Sequence, residues 1–206
     1  TTNFVHGLPS VCLSLAFAVN KEIKMGIVCA PILGEMGIAV RGKGAWLKHT
    51  RWNKQVVTRM HCSTTTELGK ALCSFGFSSA HCGLLRNKAG NENALRRYAQ
   101  EADDVQHNIT NLFRNVRDIR RSGSAACDLL YVAMGRTDAY HEYVVKEWDI
   151  AAGILLVEEA GGIVCDVDGI SELKLNGQRI GAAGTKELAK KFGGLLMCKH
   201  SDMPKN

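Results

Sequence analysis

The chain has 206 residues, of which 46% are hydrophobic and 22% are charged, and it carries a formal net charge of +6 at pH 7. This composition is typical of a globular protein and excludes a disordered or collagen-like chain. No apolar run reaches the roughly 18 residues that a membrane span needs, and the scarcity of aromatic residues argues against a nucleic-acid surface. The positive charge instead suits a solvated surface that attracts a small anionic substrate.

The first half of the chain is rich in β-strand patterns. Apolar runs at residues 11–19 and 23–30, separated by the turn-like residues Asn20, Lys21 and Glu22, predict a hairpin in which both strands are well buried. The other elements predicted in this half are strands at residues 36–40, 44–47 and 71–77 and a helix at residues 91–106.

The second half alternates between strand and helix patterns. Strands are predicted at residues 116–120, 138–142, 163–167 and 179–183, and helices at residues 124–134, 149–160 and 185–192. Such alternation is typical of a layered α/β architecture. We therefore expect a strand-rich α+β region, residues 1–115, and an α/β region, residues 116–206, which together form one domain of stacked layers with a cleft between them.

Eight cysteines are spread along the chain, and none of them forms a Cys-x-x-Cys pair. Several, such as Cys29 and Cys165, lie inside apolar runs, which indicates buried thiols in a reducing compartment rather than a disulfide framework. The His-Cys pairs at residues 61–62 and 81–82 are too far apart for a short-spaced zinc motif. We therefore predict no zinc site.

Two carboxylates stand seven residues apart, at the end of a predicted strand and the start of a predicted helix. Glu142 and Asp149 can therefore meet at one edge of the sheet, where they repel each other unless a cation or sugar hydroxyls satisfy them. Asp149 is either a helix N-cap or an oxygen ligand for a hard cation such as Mg²⁺. His141 should point to the opposite face of the strand from Glu142.

Two further segments could present amides or a hydroxyl to an anion. Gly123, Ser124 and Ala125 lie between a predicted strand and a predicted helix. Free N–H groups at a helix N-terminus suit a phosphate, although a tight, capped Gly-Ser turn explains the same residues. Thr1 opens the chain, and its hydroxyl either belongs to a helix cap or positions a nucleophilic water.

Taken together and in this order, these segments resemble the inositol monophosphatase family, and the similarity covers nearly the whole chain. The motifs are TTNFVHG at residues 1–7, RSGSAA at residues 121–126 and WDIAAG at residues 148–153, the last continuing into EEAGG at residues 158–162. The Trp-Asp signature before an apolar helix is highly specific. The resemblance implies a layered α-β-α-β-α sugar-phosphatase fold and a cytosolic, often lithium-sensitive homodimer that uses Mg²⁺.

The resemblance also implies a role for each candidate residue. Asp149 matches a metal ligand that also approaches the inositol ring, and Glu142 matches a residue that binds the ring hydroxyls. Residues 123–125 match a substrate segment rich in backbone groups, and Thr1 matches a threonine that helps to orient the attacking water. The implied reaction is the Mg²⁺-dependent hydrolysis of inositol monophosphate to myo-inositol and phosphate, in inositol metabolism.

The sequence departs from the family at the metal site. The family's other ligands, a Glu in an upstream motif and two Asp directly before the position of Thr1, are absent from the sequence. We therefore expect an N-terminally truncated chain, inactive or nearly so, of an active parent. Two alternatives stay open: a related sugar- or nucleotide-phosphate phosphatase, and a non-catalytic fragment that acts as a dimer partner.

Overall fold

The computed structural model describes residues 2–51, 54–78, 83, 87 and 91–197. The described residues contain two five-stranded sheets, and the first is an antiparallel meander in the order β1-β2-β3-β4-β5. Its strands are β1 (Leu13–Val19), β2 (Glu22–Ala30), β3 (Glu35–Val40), β4 (Ala45–Arg51) and β5 (Lys54–Arg59).

The predicted hairpin is confirmed, but the expected burial of its first strand is wrong. β1 pairs with β2 through a turn in which Asn20 and Lys21 take φ values of 51° and 65°, the conformation that two-residue hairpins favour. On β1, however, the side chains of Leu13, Leu15 and Phe17 are all more than half exposed. β1 is an edge strand, and no described element covers the face of the sheet on which these residues lie.

The second sheet is mixed and has the order β7-β6-β8-β10-β9. Its strands are β6 (Leu72–Gly76), β7 (Asp118–Arg120), β8 (Ala139–Tyr143), β9 (Ile163–Cys165) and β10 (Arg179–Ala183). The central strands β6 and β8 are parallel, whereas β10 runs antiparallel to both of its neighbours. The predicted strands of the second half are therefore confirmed within a few residues.

Five α-helices accompany the sheets in the described part of the chain. They are α1 (Thr2–Val5), α2 (Glu92–Asn115), α3 (Ala125–Ala133), α4 (Glu147–Glu159) and α5 (Lys186–Leu195). None of the helices in this part of the chain has the length and apolar character needed to cross a membrane.

Helix α2 extends well past residue 106, where the sequence pattern predicted its end. The side-chain amides of Asn108 and Asn111 donate hydrogen bonds to the carbonyls of Met197 and Leu195, at distances of 3.2 and 3.0 Å. Leu112, one turn further on, is fully buried. These contacts with the C-terminal segment stabilise the last turns of α2, which the local apolar pattern alone does not specify.

Helices α3 and α4 lie between the two sheets and form the larger core with them. At two contacts the backbone atoms lie so close to their neighbours that only glycine fits. A Cβ atom on Gly26 of β2 would lie 2.6 Å from the carbonyl oxygen of Ala152 in α4, and a Cβ atom on Gly153 of α4 would lie 2.6 Å from Cβ of Leu129 in α3. At the far end of α4, the Glu159 carboxylate accepts hydrogen bonds from the N–H groups of Gly42 and Gly44 at 2.7 and 2.8 Å.

A second core lies on the other face of the second sheet. Phe75 of β6 packs there with Leu112 of α2 and with Leu188 and Phe192 of α5. The described residues therefore form successive layers of sheet, helices, sheet and helices. This arrangement confirms the predicted layered α/β fold and places the ends of α3 and α4 at the junction between the two sheets.

Candidate active site

A polar cavity of about 320 Å³ lies where α3 and α4 begin. Its walls include the candidate residues Gly123, Ser124, Ala125, Glu142 and Asp149. The structure thus brings together five of the six residues selected from the sequence. The sixth, Thr1, lies outside the described residues.

Helix α3 begins at this cavity. Gly123 takes a φ of +75°, which favours glycine. Ser124 follows as the N-cap, and its hydroxyl accepts a hydrogen bond from the N–H of Cys127 at 3.4 Å. Both expectations for this segment are therefore compatible with the structure: the turn is capped, and it also exposes a helix N-terminus to the cavity, where partial positive charge favours an anion.

Asn3 holds the beginning of the chain against this turn. Its side-chain amide donates hydrogen bonds to the carbonyl of Ser10 at 2.7 Å and to the carbonyl of Ser122 at 2.8 Å. A Cβ atom on Gly123 would lie 3.4 Å from the Asn3 side-chain oxygen, so the glycine also permits this contact. The sequence pattern did not reveal this contact, because Asn3 and Ser122 are 119 residues apart.

Asp149 is the third residue of α4, which begins two residues earlier than predicted, after Lys146 as its N-cap. One carboxylate oxygen accepts a hydrogen bond from the N–H of Lys146 at 2.8 Å. The half-buried side chain also lines the cavity. The expected N-cap role of Asp149 is therefore wrong, because Lys146 holds that position; the Asp149 carboxylate instead closes the first turn of α4 from inside the helix and also faces the cavity.

Glu142 reaches the cavity from β8. Burial, with the charges of nearby Asp128 and Asp149, raises the pKa of its carboxyl to about 7, and a hydrogen bond from the hydroxyl of Tyr140 opposes that rise. Gly76 on the adjacent strand leaves the necessary space, because any Cβ atom there would collide with the Glu142 carboxylate. The strand pattern predicted the position of Glu142 but not the hydrogen bond by which Tyr140 affects the pKa of its carboxyl.

His141 lies on the other face of β8, as predicted, and is fully buried in the second core. Its ring stacks on Phe75 at 5.6 Å and meets the edge of Tyr143 at 4.5 Å between ring centroids. Burial lowers the pKa of the imidazole to about 3. His141 is therefore a neutral packing residue and takes no part in the cavity.

A second buried carboxyl stands behind the cavity and was missed by the sequence analysis. Asp128 of α3 is almost inaccessible to solvent and accepts a hydrogen bond from the Ser122 hydroxyl at 2.7 Å. Burial raises its pKa to about 6, although the hydrogen bond from Ser122 opposes the rise. This network fixes the turn that leads into α3.

The described residues do not by themselves supply enough ligands for Mg²⁺. No three His, Cys, Asp or Glu residues of the described chain stand close enough together to hold a metal ion. Asp149 has one oxygen engaged by Lys146, and Glu142 is engaged by Tyr140. Because Mg²⁺ takes six oxygen ligands in near-octahedral geometry, the two remaining carboxylate oxygens, one on each side chain, are too small a donor set.

The fold and the cavity together define a layered α/β protein with a polar site at the N-termini of two inter-sheet helices. Comparison with known proteins then places it more narrowly. The chain belongs to the inositol monophosphatase family, whose family model matches residues 1–199. The family membership predicted from the three motifs is therefore confirmed.

Two kinds of relative match the chain in sequence. The chain is 37% identical over 194 residues to "Nus factor SuhB" of Pasteurella multocida. The aligned region covers 93% of this chain and 63% of that protein. It is 36% identical over 185 residues to "Inositol monophosphatase 1" of Solanum lycopersicum, and this alignment covers 88% of this chain and 58% of that protein. The chain thus spans less than two thirds of the length of either relative.

Solved structures show the same similarity in three dimensions. The inositol monophosphatase from Anabaena superposes with a TM-score of 0.75 at 30% identity, covering 95% of this chain and 67% of that one. A complex of an IMPase/NADP phosphatase with NADP and Ca²⁺ superposes with a TM-score of 0.70 at 21% identity, over 97% of this chain and 63% of that one, and shows the shared fold.

Proposed function

We propose that the protein to which this sequence belongs hydrolyses the phosphomonoester of a small polyol, with inositol monophosphate as the leading substrate. One observation carries the proposal: a single cavity contains the N-terminus of α3, the carboxylate of Glu142 and the carboxylate of Asp149. Relatives named inositol monophosphatase, at 36% and 37% identity in Solanum lycopersicum, support the choice of substrate.

The phosphate group is assigned to the start of α3. The N–H groups of the first helical turn have no carbonyl partners within the helix, and the partial positive charge there favours a dianion. Gly123 and Ala125 carry little or no side chain, so a ligand can approach the backbone at this point. In this assignment the role of residues 123–125 is binding and orientation.

The polyol is assigned to Glu142. A carboxylate accepts charge-assisted hydrogen bonds from ring hydroxyls, which are stronger than neutral ones. The Tyr140 hydroxyl occupies one oxygen of this carboxylate and holds its orientation. With a pKa of about 7, the free Glu142 side chain is close to half ionised at neutral pH, and bound hydroxyls favour the ionised form.

Asp149 is proposed as one ligand of Mg²⁺, and Thr1 as the residue that orients the attacking water. Bound Mg²⁺ would polarise the ester and make water a stronger nucleophile. Because the described residues do not complete such a site, further oxygen ligands are needed. Our mechanism therefore assigns only binding, orientation and electrostatic roles to the residues named above.

Ligand binding tests the substrate assignment on the chain as it stands. We expect both inorganic phosphate and inositol 1-phosphate to bind in calorimetric titrations without added metal. Glu142→Gln should lower the affinity for inositol 1-phosphate by about tenfold, the scale of one charged hydrogen bond. The affinity of this variant for inorganic phosphate should stay within about twofold of that of the parent chain. Glu67→Gln, at an exposed carboxylate, is the matched control. Equal affinities of the parent chain and the Glu142→Gln variant for inositol 1-phosphate would refute the role of Glu142.

A binding role without hydrolysis is the second candidate, and the incomplete Mg²⁺ donor set favours it. Phosphate release in the presence of Mg²⁺ separates the two candidates. We expect no measurable turnover from this chain. A fusion that adds the part of the Anabaena protein that this chain does not match should gain Mg²⁺-dependent turnover. Asp149→Asn should abolish that turnover, whereas Asp103→Asn on the exposed side of α2 should not.

A panel of phosphate esters tests the substrate class within the enzymatic candidate. Inositol 1-phosphate should be hydrolysed in preference to galactose 1-phosphate, histidinol phosphate, fructose bisphosphate and a nucleotide bisphosphate. Preference for one of the other esters would replace the polyol assignment with that of a related phosphatase.

A further inference from the structure

Two cysteine side chains meet beside the proposed phosphate site. Cys12, just before β1, places its sulfur 3.4 Å from the hydroxyl oxygen of Ser124. Cys127, in the first turn of α3, donates its backbone N–H to the same oxygen at 3.4 Å. The side chains of Cys12 and Cys127 are close enough for each to shift the pKa of the other. Both cysteines are free thiols, and they adjoin across the boundary between the first sheet and α3.

The two thiols have different access to solvent. Cys12 is partly exposed and lines the cavity, whereas Cys127 is 1% exposed. A soluble reagent that enters the cavity therefore meets Cys12 first. Cys127 is shielded from such a reagent.

Their electrostatic surroundings also differ. The neighbouring Cys127 and the Ser124 hydroxyl lower the pKa of Cys12 from its ordinary value, although burial and the Asp149 charge oppose this effect. By contrast, burial raises the pKa of the partly buried Cys62 to about 11. Because the thiolate is the nucleophilic form of cysteine, Cys12 should be far more reactive than Cys62.

We propose that Cys12 is an oxidative modification site, which reacts with hydroperoxides, and that Cys127 converts the product into an intramolecular disulfide. The Cys12 thiolate attacks one peroxide oxygen, the O–O bond breaks, and an alkoxide or hydroxide leaves. The sulfur becomes a sulfenic acid and is oxidised by two electrons while the peroxide is reduced. The Cys127 sulfur then forms an S–S bond with Cys12, and the hydroxyl leaves as water with the Cys127 proton.

The neighbouring phosphate site gives this reaction a ligand dependence, which rests on the proposed function. A phosphate at the N-terminus of α3 would place negative charge next to the Cys12 thiolate and would block the approach of peroxide. Inorganic phosphate should therefore slow the modification of Cys12 without changing that of cysteines outside the cavity.

Peptide mapping tests the proposal on the unsubstituted chain. Tryptic cleavage places Cys12 in residues 1–21, Cys62 in residues 60–70 and Cys127 in residues 122–136, each as the single cysteine of its peptide. The reduced chain is treated with one equivalent of hydrogen peroxide and quenched with N-ethylmaleimide. We expect a cross-linked pair of peptides 1–21 and 122–136 that dithiothreitol separates. Iodoacetamide at pH 7 should alkylate Cys12 at least about tenfold faster than Cys62.

Variants identify the order of the two steps. Cys127→Ser should stop the reaction at a Cys12 sulfenic acid that dimedone traps, whereas Cys62→Ser should still form the cross-link. The proposal is overturned if Cys12 is alkylated no faster than Cys62, or if peroxide gives no cross-link between the two peptides. If the cross-link forms but phosphate does not slow it, the assignment of the phosphate site is refuted and the thiol reaction stands.

Discussion

The hydroxyl of Tyr140 donates a hydrogen bond to the carboxylate of Glu142, two residues further along β8. Residues two apart on a strand lie on the same face, so the strand itself sets this contact. Tyr140 is fully buried, and Glu142 is the residue that reaches the cavity. Tyr140 is therefore a positioning residue for Glu142, and its effect should appear in the titration of that carboxyl.

Tyr140→Phe tests this relationship. The variant removes a donor that stabilises the ionised carboxylate, so the pKa of Glu142 should rise further above about 7. We expect the affinity for inositol 1-phosphate to fall at pH 7 and to recover by about pH 8.5, as measured by titration calorimetry over a pH series. Tyr131→Phe on α3, whose ring packs under Arg136, is the control. An unshifted pH profile for Tyr140→Phe would show that the tyrosine has only a packing role.

The pKa of Glu142 also predicts a stability effect. Its folded-state pKa of about 7 lies above the ordinary value of 4.5, so its contribution to stability is present below pH 4.5 and is lost as pH rises through 7. Glu142→Gln should therefore raise the free energy of unfolding above pH 7 by about 1–3 kcal/mol and have little effect near pH 4. Urea denaturation at both pH values measures this difference. A loss of stability at pH 8 would contradict the prediction.

His141 predicts a loss of stability in acid. The unfolded imidazole takes up a proton below about pH 6.5, whereas the folded one stays neutral down to about pH 3. Between these values the free energy of unfolding should fall by about 1.4 kcal/mol for each pH unit. Denaturation curves should show that His141→Phe removes this part of the pH dependence and that His61→Phe, at an exposed histidine, leaves it intact. Identical slopes in both variants would assign the acid sensitivity to other groups.

Val144 occupies a strained backbone conformation at the cavity wall. Its φ of 62° is unusual for a β-branched residue. Val144→Gly removes the strain but adds freedom to the unfolded chain, so we expect a net gain of up to about 1 kcal/mol in thermal or urea unfolding. Asn20→Gly is the control, because asparagine tolerates its φ of 51° well. A destabilised Val144→Gly variant would show that the side-chain packing of Val144 outweighs its strain.

The fold was largely predictable because most of its elements carry a local apolar pattern. The hairpin of β1 and β2 and the alternating second half follow from that pattern. The exposure of β1 does not, since burial depends on which other element covers a strand. The last turns of α2 also escaped prediction, because Asn108 and Asn111 bond to residues more than 80 positions away.

The cavity lining was partly predictable from residue type and from position at the end of a strand or the start of a helix. Glu142, Asp149 and residues 123–125 were selected in this way, and they line one cavity. Asn3 and Cys12 were not identified as parts of the site, because their partners, Ser122 and Ser124, are distant in sequence. Tyr140 offered a local signal, as it stands two residues before Glu142 on a strand.

Helix α4 is anchored to the first sheet at the end far from the cavity. The Glu159 carboxylate accepts two hydrogen bonds from the β3–β4 turn, and Asp149 lies about 15 Å away, ten residues earlier in the same helix. Because a helix of this length is stiff, a displacement of its anchored end is carried to the end that lines the cavity. The position of Asp149 is therefore set partly by a hairpin turn that no ligand needs to touch.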